Sequence, residues 1–193
     1  TLFAAVTAKF PDLRCLVNSA SIFEYDRANS VSPVTGKNLR DHMQVNLTAP
    51  ILLSQFMFEY QQSRAKKISN AEVSIASVSQ LLDQKLINLN PDFLSYTLSK
   101  AALLSSVELL AIDFAPDLRV LGLAPGITLL SGDQTEEGFS KAHQMTPLGK
   151  SSTPSDIAKA AVFLASSNSI TGTTLYVDGG QHLQPSACDV MFK

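Results

Sequence analysis

Short apolar runs and longer stretches with helical spacing alternate along this chain. Residues 13–18 (LRCLVN) are an apolar run ending in small polar residues, the pattern of a strand buried on both faces. A polar loop follows from 21 to 36. Residues 38–62 then place Met43, Leu47, Ile51, Leu52, Phe56 and Phe58 at helical spacing, which predicts a long helix. Pro50 lies inside that stretch and predicts a kink near Asn46. A second strand is expected within 73–82, with its register open. Residues 95–114 predict another long helix, and 118–123 (LRVLGL) a strand that Ala124-Pro125-Gly126 breaks.

Thr153-Pro154-Ser155-Asp156 predicts a helix start: Thr153 can cap, Pro154 suits the first helical position and Asp156 stands three residues after the cap. That helix should reach about Ala165. Residues 173–177 (TTLYV) close the series as a strand, turned by Asp178-Gly179-Gly180. Residues 1–10 read as the middle of a helix. Four strands alternating with helices long enough for crossovers predict an α/β fold with a parallel sheet.

Composition narrows the function. With 193 residues, 45% hydrophobic and 17% charged, the chain can bury one sizeable core. A net charge of −2 with scattered lysines and arginines lacks the footprint of a nucleic-acid binder. Apolar runs fall short of the ~20 residues needed to cross a bilayer. No signal layout opens the sequence, so a cytoplasmic protein is expected. Cys15 and Cys188 make no disulfide framework, and Cys15, in an apolar run, reads as a small core residue. His42 is expected to be exposed on its helix and His143 to lie in a variable loop, with no metal site. Asp133, Glu136 and Glu137 read as a solvated lid.

Tyr96 and Lys100 stand four residues apart at the start of a helix and so project from one face. A neighbouring ammonium favours an ionised phenol. Moving a tyrosine from pH ~10 toward neutrality takes roughly 4 kcal/mol, the order that a close cation and a helix N-terminus supply. Such a phenol could give or take a proton at working pH. The pair alone also fits a solvated lysine covering a packed tyrosine.

The surrounding motifs go further. Leu16-Val17-Asn18-Ser19-Ala20, Val45-Asn46-Leu47, Tyr96-Thr97-Leu98-Ser99-Lys100, Arg119-Val120 with Pro125-Gly126, and Val177-Asp178-Gly179-Gly180 occur in that order. Together they resemble the short-chain dehydrogenase/reductase family across nearly the whole chain. The resemblance implies a doubly wound, Rossmann-type sheet, of which residues 1–193 would be a single partial domain. It implies Tyr96, Lys100 and Asn46 in catalysis, Asn46 helping to hold a relay water near the lysine. Asn18, Ser19, Ala20, Ser21, Tyr96, Lys100, Pro125 and Gly126 would bind the cofactor. Leu121 stands where this family commonly has Asn.

A finer resemblance is to pteridine reductases, including bacterial dihydromonapterin reductases. Ser21 replaces the common Gly, Phe23 follows where an aromatic stacks on the pterin, and Gln181-His182-Leu183 is similar to the same enzymes. Asp83, thirteen residues before Tyr96, stands where most of the family places a catalytic serine and this branch places aspartate, which implies a catalytic Asp83 handling the proton with Tyr96 and Lys100. Ser77 imitates the usual serine motif nineteen residues before Tyr96 and remains the alternative; Asp83 is favoured because it needs no insertion. The substrate site would comprise Ser21, Phe23, Asp83 and Tyr96.

The implied activity is hydride transfer from NADP(H), with NAD(H) as the alternative, to a pterin or dihydropterin, in a homodimer or homotetramer. A carbonyl or 3-oxoacyl reductase is the other enzymatic reading, and a non-catalytic interaction protein that kept the fold is a third. No Gly-rich phosphate-binding turn follows a strand in this sequence. The expectation is a fragment lacking the N-terminal dinucleotide-binding half, with strand 13–18 left as an edge and weak NADP(H) binding.

Overall fold

The computed structural model describes residues 2–66, 76–130, 132 and 134–192. Four strands form one sheet in the order β1 (Cys15–Asn18), β2 (Ala76–Leu81), β3 (Leu118–Pro125) and β4 (Thr174–Val177). Every pairing is parallel, with Leu16 opposite Val78, Val78 opposite Val120 and Leu123 opposite Leu175. The expected Rossmann-type α/β architecture is therefore present. Residues 73–75, at the start of the predicted second strand, lie outside the described residues. β1 ends the sheet on one side, and Val17 there is 43% exposed.

Period-two alternation sends β3 side chains to two cores. Val120 packs with Val78 of β2, Met57 of α3 (Ala49–Ala65) and Ala111 of α4 (Leu94–Asp113). Leu121 and Leu123 face the other way, against Leu164 of α6 (Pro154–Ser166). Helices thus cover both faces, as a parallel sheet buried on both sides requires. α1 (Leu2–Lys9) contributes Phe3 to the first core.

α6 starts as predicted. Thr153 Oγ1 accepts from the Asp156 N–H, and Asp156 returns the bond to the Thr153 backbone, closing a capping box. Its other end is held by Arg119, whose guanidinium donates to the carbonyls of Leu164, Ala165, Ser167 and Ile170 at 2.6 to 3.2 Å. Two of these carbonyls belong to the last turn of α6 and two to the chain just beyond it, where a cation is also favoured by the dipole.

The long helix predicted over 38–62 is divided. α2 (Gly36–Met43) leads into a π-helical turn, Gln44–Thr48, before α3. Pro50 has no N–H to offer the Asn46 carbonyl, and the wider turn absorbs that missing bond without a sharp break. The expected kink is a π-turn centred on Asn46.

Candidate active site

Two carboxyl-terminal strand ends and the start of α4 converge on Tyr96. β2 ends at Leu81, and Asp83 then caps a short 3-10 turn, Gln84–Leu86, by accepting from the Lys85 N–H at 2.8 Å. The other Asp83 oxygen accepts from the Tyr96 hydroxyl at 2.9 Å. Lys100, one turn further along α4, is almost wholly buried and donates to the Leu81 carbonyl at 2.8 Å. Its ammonium lies 5.8 Å from the Tyr96 ring centroid, so both side chains share one helix face. Ser77 sits near the amino end of β2, opposite Cys15 and Arg119. Six residues of extended chain, roughly 20 Å, separate it from Asp83.

The electrostatics differ from the sequence expectation. The Tyr96 phenol is pushed well above its usual range, because burial and the adjacent Asp83 carboxylate both oppose a phenolate. Lys100 does not offset this, since its ammonium is turned to the Leu81 carbonyl. Burial lowers Lys100 to about 8, partly countered by Asp83. Burial also raises Asp83, against the hydrogen bonds from Lys85 and Tyr96. In this geometry Tyr96 is a protonated phenol whose hydrogen is directed at Asp83.

Asn46 is fully engaged through its side chain. The amide nitrogen donates to the Ile22 carbonyl and to Ser99 Oγ, each at 3.0 Å. Its oxygen accepts from the Ile22 N–H at 2.8 Å and from Ser21 Oγ at 3.0 Å. The amide therefore has no group left for the relay water that the resemblance implied. The side chain instead ties the loop after β1 to the active-site helix.

Asn18 closes a second buried network. It donates to Gln80 Oε1 at 2.9 Å, Gln80 donates to Ser54 Oγ at 2.9 Å, and Ser54 donates to the Pro50 carbonyl at 2.7 Å. Ser19, Ala20 and Ser21 follow it as exposed backbone at the end of β1. Ligands of open α/β sheets bind beyond such carboxyl ends, so these positions, with Lys100, suit a dinucleotide. Lys100 spends one of its three hydrogens on Leu81. Gly126 has no room for a side chain, since a Cβ would come within 2.7 Å of Asp178 Cβ and 2.8 Å of its Cα. Pro125 and Gly126 line the same pocket as Tyr96, Asp83 and Phe23.

Phe23 stacks on Phe93 at 4.0 Å between centroids and meets the Tyr96 ring edge-on at 4.7 Å. One face of Phe23 is thus taken, and the residue is still 37% exposed. Phe93 precedes α4 in the left-handed region (φ 54°), an uncommon conformation for an aromatic residue. It cannot cap the helix, and Asp26 does so from a distant loop, accepting from the Ser95 N–H at 2.9 Å and from the Ser95 hydroxyl. Asp26 and Gln80 are site-building residues that no sequence signal marks, because their partners lie far along the chain.

Two histidines depart from expectation. His42 is not exposed: it is fully buried, with Nδ1 2.8 Å from the Asn38 carbonyl and Nε2 accepting from the Glu24 N–H. The α2 face carrying it turns inward against the loop after β1. His143 lies within α5 (Glu136–Gln144) and accepts from the Ser151 N–H at 3.2 Å. Glu136 and Glu137 are exposed in the first turn of α5, while Asp133 lies outside the described residues. Cys15 is half-buried, and both cysteines are free thiols. Among the described residues no cluster could hold a metal ion, and no helix is long and apolar enough to cross a membrane.

A family model described as enoyl-(acyl carrier protein) reductase matches residues 1–182. The chain belongs to the short-chain dehydrogenase/reductase family. Within that family it is 33% identical over 188 residues to the 3-oxoacyl-[acyl-carrier-protein] reductase FabG of Haemophilus influenzae, covering 95% of this chain and 73% of that protein. It is 33% identical to the FixR protein of Bradyrhizobium diazoefficiens, covering 89% of this chain but 60% of that one. Among solved structures, FolM alternative dihydrofolate reductase 1 from Brucella canis, complexed with NADP, superposes with a TM-score of 0.84 at 31% identity. That match covers 96% of this chain and 69% of the other. The chain thus spans about 60 to 73% of these relatives.

Proposed function

We propose that this chain carries the catalytic centre of an NADPH-dependent reductase acting on a pterin or dihydropterin ring. The Tyr96–Asp83 hydrogen bond carries the proposal. The phenol is protonated at working pH and the carboxylate orients its hydroxyl in the pocket, so a proton is at hand for the reductive direction. Bound NADPH would supply the hydride to a ring carbon. Tyr96 then gives its proton to the neighbouring ring nitrogen, and Asp83 favours reprotonation of the phenol. Lys100, one helical turn beyond Tyr96, binds ribose hydroxyls and stabilises negative charge as it develops. Asn46 fixes Ser21 and Ile22, and the half-exposed Phe23 offers apolar surface to a flat ring.

The similarity to the NADP complex of FolM alternative dihydrofolate reductase 1 supports this substrate class and cofactor. The similarity to FabG supports the alternative of a 3-oxoacyl substrate. Exposed Leu109 and Ile112 on α4 support self-association as a dimer or tetramer. The test is reduction by the complete reading frame that encodes this chain, with NADPH and either a dihydropterin or an acetoacetyl thioester. Dihydropterin should be reduced with the higher kcat/KM; preference for the thioester would overturn the proposal.

A further inference from the structure

Lys85 joins the catalytic turn to the C-terminal segment. Its backbone N–H donates to Asp83, while its buried ammonium donates to the Asp92 carbonyl at 2.6 Å and to Asp189 Oδ2 at 3.0 Å. The Asp189 N–H donates back to Asp92 Oδ2 at 2.9 Å, and the other Asp92 oxygen faces Arg27 at 3.3 Å. Burying a lysine ammonium between one carboxylate and a backbone carbonyl is costly in desolvation and holds only where the geometry is fixed. Here it fixes the turn Val190–Phe192. Val190 and Met191 of that turn line the pocket that also contains Tyr96 and Asp83. Phe192 packs edge-on against Tyr25 at 5.5 Å and stacks with Phe93 at 6.0 Å, the ring on which Phe23 lies.

We infer that residues 188–192 form the specificity-determining wall of the substrate pocket and that Lys85 is the positioning residue that holds this wall in place. The inference rests on the reductase reading above and deepens it. The wall presents Met191 and an aromatic stack, which reward a flat ring through apolar contact and stacking. Asp189 and Gln84 stand at the same pocket and can accept from ring N–H groups. A flexible acyl chain satisfies neither feature.

The experiment uses the complete reading frame and whichever substrate the wild type reduces best, so that it does not depend on that substrate being a pterin. Lys85→Met should speed hydrogen exchange of the backbone amides in 188–192 and raise KM about tenfold, with kcat changed less than about threefold. Replacing both partners, Lys85→Met with Asp189→Leu, should restore protection, because it leaves no unpaired buried charge. Met191→Ala, which leaves the ion pair alone, should by itself raise KM and shift preference among ring substrates of different size. Unchanged exchange in Lys85→Met, or unchanged KM and preference in Met191→Ala, would overturn the inference. Failure of the wild type to reduce any dihydropterin would instead count against the substrate reading alone.

Discussion

Tyr96 donates its hydroxyl hydrogen to Asp83 at 2.9 Å, while Lys100 directs its ammonium to the Leu81 carbonyl at 2.8 Å. The phenol is consequently coupled to a carboxylate and shielded from water, and both influences keep it protonated. This arrangement separates roles that the sequence had merged. Asp83 accepts the Tyr96 hydrogen, and Lys100 keeps its ammonium buried against the Leu81 carbonyl.

Asp83 pays for this role in stability. Burial raises its folded-state pKa, so the carboxylate is a burden wherever the unfolded chain would ionise it, and the burden vanishes below the unfolded value. Asp83→Asn should therefore unfold at a higher temperature than wild type at pH 7. The gap should close as pH falls toward the ordinary carboxylate range, as followed by thermal unfolding at several pH values. The same variant should lose roughly 10²-fold or more in kcat.

Lys100 should mark the alkaline limb of activity. Its pKa is lowered to about 8, so the ammonium is progressively lost above that pH. The profile of kcat/KM, which reports the free enzyme, should fall there. Lys100→Met should be far less active and lack that limb. The sign for stability is the reverse of a paired lysine: the charge costs stability below pH about 8, and the cost is relieved toward the unfolded value near 10.5. Lys100→Met should accordingly gain stability at pH 7 and lose that advantage by pH 11.

Asp26 should behave as a remote helix cap. Asp26→Ala removes the acceptor of the Ser95 N–H and hydroxyl. Loss of a cap costs ~1–2 kcal/mol, which in a chain of this size lowers Tm by roughly 2–8 °C. Asp26→Asn, which keeps an acceptor for the N–H, should lose less. Calorimetry on the three proteins checks the order.

What the sequence made legible was local. The Thr153–Asp156 box needs four consecutive residues, and both of its hydrogen bonds form. The alternation of apolar runs and helical stretches led to four parallel strands with flanking helices, and Pro50 pointed to the disturbance at Asn46. Tyr96 and Lys100 share a face because helix geometry dictates it. What stayed hidden was carried by distant partners. Asp26 meets Ser95 across 69 residues, and Lys85 meets Asp189 across 104, with no periodic signal at either end. His42 looked like a surface residue because the loop that buries it has no regular pattern. The direction of the Tyr96 shift depended on where the Lys100 ammonium points, which spacing alone does not determine.

The most direct test is the turnover of Tyr96→Phe in the complete reading frame, measured with NADPH and a dihydropterin, with thermal unfolding to verify the fold. Loss of the donated proton should reduce kcat by roughly 10²–10⁴-fold while the protein remains folded. A folded Tyr96→Phe enzyme with undiminished kcat would contradict the account.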